Sequence, residues 1–213
     1  MIKKISIILT VVLTFTLLAS CGEETTFNRE YNAQEVATAA ESLIKDSELL
    51  NKLLWGEGIK YDALNNLHAS GYYYRADEFS LDDYGVETVD EMEKKIRAVF
   101  SEKYSNQIFE SSVFSSAADN NGNIVHFSRY QQKMDGDKPE YIQVYSKWEP
   151  FLFDSVAYDY STITDAGVSG NTVFVNINCT VTDSESGESE KKTLKIALVE
   201  QKDGWRLDSP TYC

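Results

Sequence analysis

Val173-Phe174-Val175-Asn176-Ile177-Asn178-Cys179-Thr180-Val181 has its odd positions all apolar and its even positions, Phe174 apart, polar. A period of two places Val173, Val175, Ile177, Cys179 and Val181 on one face of a half-buried strand. The same rhythm, punctuated by turn residues, runs from Ser112 onward. It predicts strands over Val113 to Ala117, Ile124 to Tyr130, Tyr141 to Trp148, Ser155 to Thr162, Thr172 to Thr182, Lys191 to Glu200 and Trp205 to Asp208. The turns fall at Asn120-Asn121-Gly122, Asp135-Gly136-Asp137, Ser169-Gly170-Asn171, Ser186-Gly187 and Asp203-Gly204, where glycine or asparagine can take positive φ. With no helical pattern between these strands, sequence neighbours are expected to pair antiparallel in one curved meander.

Upstream the period changes to three or four. Val36, Ala40, Leu43, Leu50 and Leu54 form one face of a long helix from Ala33 to Trp55, with Asn32 as cap, Glu35 as capping-box partner and Gly56 as stop. Thr88-Val89-Asp90-Glu91 is a capping box opening a second helix, whose stripe is Val89, Met92, Ile96, Val99 and Phe100. A shorter third helix is expected over Ser101 to Phe109. Between the first two lies Ile59 to Asp83, rich in aromatics, with Tyr72-Tyr73-Tyr74 at its centre. The expectation is a single α+β domain over 33–213, helices first and sheet second, large enough to bury a core without disulfides.

The first 32 residues read as an address. Lys3 and Lys4 precede an apolar run from Ile5 to Leu18, too short to span a bilayer, which closes in Leu18-Ala19-Ser20-Cys21. That is the lipobox pattern, so residues 1–20 are expected to be a lipoprotein signal peptide and Cys21 the lipidated N-terminus. Two acyl chains suffice for stable anchoring, since each buried CH₂ contributes roughly 0.8 kcal/mol. Residues 21–32 then serve as a tether, and the domain sits on the extracytoplasmic face of the cell membrane.

The formal charge of −14 is set by 34 acidic against 20 basic residues. Such a chain is a poor ligand for nucleic acid or anionic headgroups, both of which demand cationic neutralisation. It suits basic protein surfaces, or simply solubility. Cys179 and Cys213 remain besides Cys21; an oxidising compartment permits a bridge between them, and two unpaired thiols are the alternative.

Motifs of catalysis are missing from the sequence. The two histidines, His68 and His126, stand in no metal-ligand spacing, and the acidic turns fail as EF-hands at their first position. There is no nucleophile elbow, P-loop or dinucleotide fingerprint. Neither a cofactor nor an enzymatic activity is expected; an enzyme would need an acid or base such as Asp159 or His126 turned inward. The compositional excess is tyrosine, thirteen in all. On Tyr141-Ile142-Gln143-Val144-Tyr145-Ser146-Lys147-Trp148, Tyr141 and Tyr145 share a face with Gln143 and Lys147, while Ile142, Val144 and Trp148 share the other. Half-solvated tyrosines favour contact surfaces for protein or glycan, and they also simply suit strands.

Helices first, a wrapping sheet second, and the ending Val199-Glu200-Gln201-Lys202-Asp203-Gly204-Trp205-Arg206-Leu207 resemble the cystatin-like/NTF2-like folds. Leu54-Trp55-Gly56, Tyr72-Tyr73-Tyr74-Arg75 and Thr88 to Phe100 followed by Ser101-Glu102-Lys103 are similar to the bacterial DL-endopeptidase inhibitor (IseA-type) family. The resemblance implies a non-catalytic partner of NlpC/P60-type cell-wall endopeptidases that blocks their clefts. The expected contact surface is an acidic loop with Asp135 and Asp137 at its tip, flanked by Tyr141 and by Tyr72 or Tyr74. The alternative is a small-molecule or glycan receptor using the concavity of such a fold.

Overall fold

The structure is a computed structural model that describes residues 31–66, 71–75, 84–150, 155–183 and 185–212. The expected signal peptide over 1–20, Cys21, most of the expected tether, His68 and Cys213 lie outside the described residues. Helix α1 (Ala33–Leu54) is followed by strands β1 (Tyr61–Asn66) and β2 (Tyr72–Arg75), then α2 (Val89–Val99) and α3 (Glu102–Glu110). Eight more strands complete the order: β3 (Ala117–Ala118), β4 (Ile124–His126), β5 (Tyr130–Asp135), β6 (Lys138–Tyr145), β7 (Ser155–Ser169), β8 (Thr172–Thr182), β9 (Ser189–Gln201) and β10 (Gly204–Leu207). The α+β class holds. No described helix is long and apolar enough to cross a membrane.

The strands do not form one meander. They make two antiparallel four-stranded sheets, β1-β2-β6-β5 and β10-β9-β8-β7, and a small hairpin of β3 with β4. The reason lies at β6. Its one edge takes β5, and its other takes β2 from the segment between the helices, with Tyr72 opposite Tyr145, Tyr73 opposite Val144 and Tyr74 opposite Gln143. Both edges being filled, β7 cannot pair with its neighbour β6, and it pairs with β8 in the second sheet.

The decisive stretch behaves as its pattern requires. Along β8, Val173, Val175, Ile177, Cys179 and Val181 are buried while the residues between them are not. Val173 and Val175 stand opposite Leu198 and Ile196 of β9, giving the second sheet a continuous apolar inner face. Against it packs α1 with Val36, Ala40, Leu43, Ile44, Leu50, Leu53 and Leu54, and the same core takes in Met92 and Ile96 of α2 and Ile142 and Val144 of β6.

Local rules fix the helix ends. Asn32 Oδ1 accepts the amides of Gln34 and Glu35 at 2.9 and 3.4 Å. At α2 the capping box is complete: the Glu91 amide donates to Thr88 Oγ1 at 3.2 Å, and Glu91 Oε2 accepts the Thr88 amide at 3.2 Å. Tyr31 already belongs to the folded body, its hydroxyl donating to Asp165 at 2.7 Å.

Two expected strands break. Ser111 to Phe114 turn off the end of α3, so that Val113 is buried without being extended, and only Ala117–Ala118 pair with β4. The expected strand from Ile124 to Tyr130 divides because the Arg129 and Tyr130 amides donate to the Ser112 and Val113 carbonyls at 2.9 and 3.0 Å instead of continuing β4. Beyond β10 the chain folds back over α1: Thr211 Oγ1 lies 2.6 Å from Ser47 Oγ and accepts from Asn51 Nδ2 at 2.9 Å.

Candidate functional surface

The outer face of the first sheet carries the tyrosines. Cross-strand partners share a face, so the register places Tyr72 beside Tyr145, Tyr74 beside Gln143, Gln143 beside Gln131, and Tyr141 beside Lys133. Ile142 and Val144, in between, point into the core and are buried. The rings touch: Tyr74 and Tyr141 are 4.7 Å apart by centroid, Tyr72 and Tyr145 5.2 Å, and Phe127 and Tyr145 4.9 Å. Tyr72, in the same row, is itself buried under Phe127, 6.1 Å away by centroid, with its hydroxyl donating to the Ser128 carbonyl at 2.8 Å. Its phenol is pushed above its ordinary pKa by burial. Tyr74, Gln143, Tyr141 and Tyr145 are half-buried and reachable.

Three expected contact residues, Tyr72, Tyr74 and Tyr141, are thus brought together. Asp135 and Asp137 are exposed at the turn joining β5 to β6, with Lys138 opposite Asp135. The tip is therefore of mixed charge. Lys133, two residues from Asp135, faces Tyr141, which puts the tip about 7 Å along the strand from the tyrosine layer.

A cleft of about 320 Å³ adjoins the Tyr145 end of this face, lined by Ser112, Val125, His126, Phe127, Tyr145, Lys147, Trp148 and Glu149. Trp148 follows the end of β6 by three residues; its indole is half-buried against the core, as the alternation expected, and its other edge lines the cleft. Its ring rests on the Arg129 guanidinium, 4.2 Å from the centroid. That guanidinium is buried and donates to the carbonyls of Leu54 and Gly56, both at 2.8 Å. Next to it, the Tyr130 hydroxyl donates to the Leu53 carbonyl at 2.6 Å and accepts the Ile59 amide at 3.2 Å. Arg129 and Tyr130 together close the C-terminal end of α1, where unpaired carbonyls gather negative charge. Burial pushes the Tyr130 phenol up to about 12 and shifts Arg129 down from its ordinary value.

Arg129 is the residue that sequence reasoning missed, since its partners are helix carbonyls distant in the chain. The β3–β4 hairpin borders the cleft and leaves Ile124 and Val125 half-exposed at 50% and 55%. Asp119 holds its turn, Oδ1 accepting the amides of Asn121 and Asn123 at 2.8 and 2.9 Å. The two residues considered as inward acid or base, Asp159 and His126, are both exposed. Among the described residues no group of three His, Cys, Asp or Glu converges as metal ligands. The second sheet bears a polar cleft of about 500 Å³ on the row of Tyr158, Cys179 and Lys192.

No protein-family model matches the chain, and no curated protein matches it.

Proposed function

We propose that this chain is an extracytoplasmic binding protein, lipid-anchored at Cys21, which restrains cell-wall DL-endopeptidases of the NlpC/P60 type by covering their clefts. The observation that carries the reading is the convergence of Tyr74, Tyr141 and Tyr145 on one sheet face beside the projecting β5–β6 hairpin. A face of packed rings on paired strands loses little side-chain entropy on binding, which is what a steric blocker needs. We read the fold as cystatin-like/NTF2-like, with α1 against the inner face of β8 and β9 in support.

The hairpin tip, with Asp135 and Asp137, enters a basic cleft. Electrostatic attraction there acts mainly on the association rate and fades with salt. The test is a pull-down of an NlpC/P60 hydrolase by the full-length protein, with a lysis assay on isolated walls. Binding together with slowed lysis is expected. If the hydrolase is neither retained nor slowed, the reading is wrong.

A further inference from the structure

We infer a second binding function, beyond the blocking role: the cleft at Trp148 and the adjoining face hold a neutral polysaccharide strand, a polymer of hydroxylated pyranose rings. The face is a ladder of ring, amide and ring, since Tyr141, Gln143 and Tyr145 alternate along β6 and Gln131 stands opposite Gln143. A pyranose presents the same alternation to its surroundings, with apolar C–H faces that lie against aromatic rings and hydroxyls around its rim that bond to amides.

Charge narrows the choice. The chain as a whole carries −14, yet on β5 and β6, short of their turn, the outward side chains are Gln131, Lys133, Tyr141, Gln143 and Tyr145, none of them a carboxylate, and the cleft adds one charge of each sign, Lys147 and Glu149. Anionic polymers are repelled by the rest of the molecule, and among the described residues Lys133 is the cation of the face, since Lys147 in the cleft is offset by Glu149. The centre of the face is a pair of amides, whereas protein interfaces concentrate apolar side chains at their centre. A neutral, hydroxyl-rich strand satisfies amides and rings together.

The cleft supplies the deeper subsite. Its volume of about 320 Å³ is at the small end of ligand pockets. Trp148 and Tyr145 give it aromatic walls, and Ser112, His126, Lys147 and Glu149 give it hydrogen-bonding groups. Arg129 fixes the indole at 4.2 Å, so the wall stands ready before the ligand arrives.

The experiment is retention of the full-length protein on two probes: an insoluble polymer of N-acetylglucosamine, and wall sacculi stripped of anionic polymers. Retention on both is expected, little altered by salt. Tyr145→Ala should weaken it about tenfold or more, the equivalent of one stacking contact. Gln131→Ala with Gln143→Ala, which removes no packed ring, should also weaken it while the thermal midpoint stays unchanged. Asp135→Asn with Asp137→Asn should leave it intact, so that loss of hydrolase binding and loss of glycan binding are separately visible. Absence of retention, retention only on sacculi that keep their anionic polymers, or variants that bind like the parent would each overturn the inference.

Discussion

The Arg129 guanidinium donates through Nη1 to the Leu54 carbonyl and through Nη2 to the Gly56 carbonyl, tying the start of β5 to the end of α1. Replacing it by methionine leaves buried carbonyls without donors and removes the support beneath Trp148. We expect a loss of about 2–4 kcal/mol in urea unfolding. Arg129→Lys should recover little of it, because one ammonium cannot reproduce a planar fork that reaches two carbonyls.

Gly58 is placed where only glycine fits. Its φ is +67°, and a Cβ there would lie 1.9 Å from Arg129 Nη2. Gly58→Ala should therefore cost about 1–3 kcal/mol by strain and by displacing the guanidinium. Gly136→Ala, where the φ is +58° but the space is open, should cost less. Thermal melts of the two variants side by side make the comparison.

Tyr130 predicts weakness at alkaline pH. Its phenol rises in the folded state from 10.0 to about 12, chiefly through burial. The folded protein then holds this proton more tightly than the unfolded chain, so the contribution is complete below pH 10 and drains away as pH climbs towards 12. Its size is about 2–3 kcal/mol. Denaturation followed across that window should show a gentler decline for Tyr130→Phe, although that variant starts less stable at neutral pH.

At the other extreme stands Glu91. Its carboxylate accepts the amides of Glu87 and Thr88, and these bonds hold it below the ordinary value of 4.5. What it adds to stability is present above that value and disappears as pH falls through the lower folded one. Glu91→Gln should flatten the acid limb of the stability profile. Thr88→Ala should remove about 1 kcal/mol at every pH, by losing the forward half of the box.

Short-range signals were legible in the residues. The alternation from Thr172 to Thr182 gave β8 its bounds, and Thr88-Val89-Asp90-Glu91 gave α2 its start, because each depends on neighbours a few positions away. The pairing of β2 with β6 was not legible: Tyr72 and Tyr145 are far apart in the chain, and turn spacing does not report which edge a distant strand will choose. β5 was misplaced for another reason. Gln132 faces the interior and accepts the Val89 amide at 2.8 Å, so an inward position carries an amide where alternation looks for an aliphatic group. β7 runs on to Ser169 because irregular pairing between Asp159 and Thr164 and again between Asp165 and Val168 lets polar residues stay in the sheet. Of the contact surface, the tyrosine face followed from the alternation along β6. The inward side of Trp148 followed from it too, but the cleft and Arg129 did not, since they depend on the loop after β6 and on the helix end that Arg129 reaches.

Asn32 opens α1, and of the residues that close it Tyr130 begins a strand of the sheet that bears the tyrosines and Arg129 directly precedes it. The helix between is 22 residues long, about 33 Å at the usual rise. Whatever grips the chain ahead of Asn32 thus grips one pole of an axle whose opposite pole is held by Arg129 and Tyr130. A pull applied ahead of Asn32 would run along a hydrogen-bonded rod and not across the sheet face that carries Tyr74 and Tyr141.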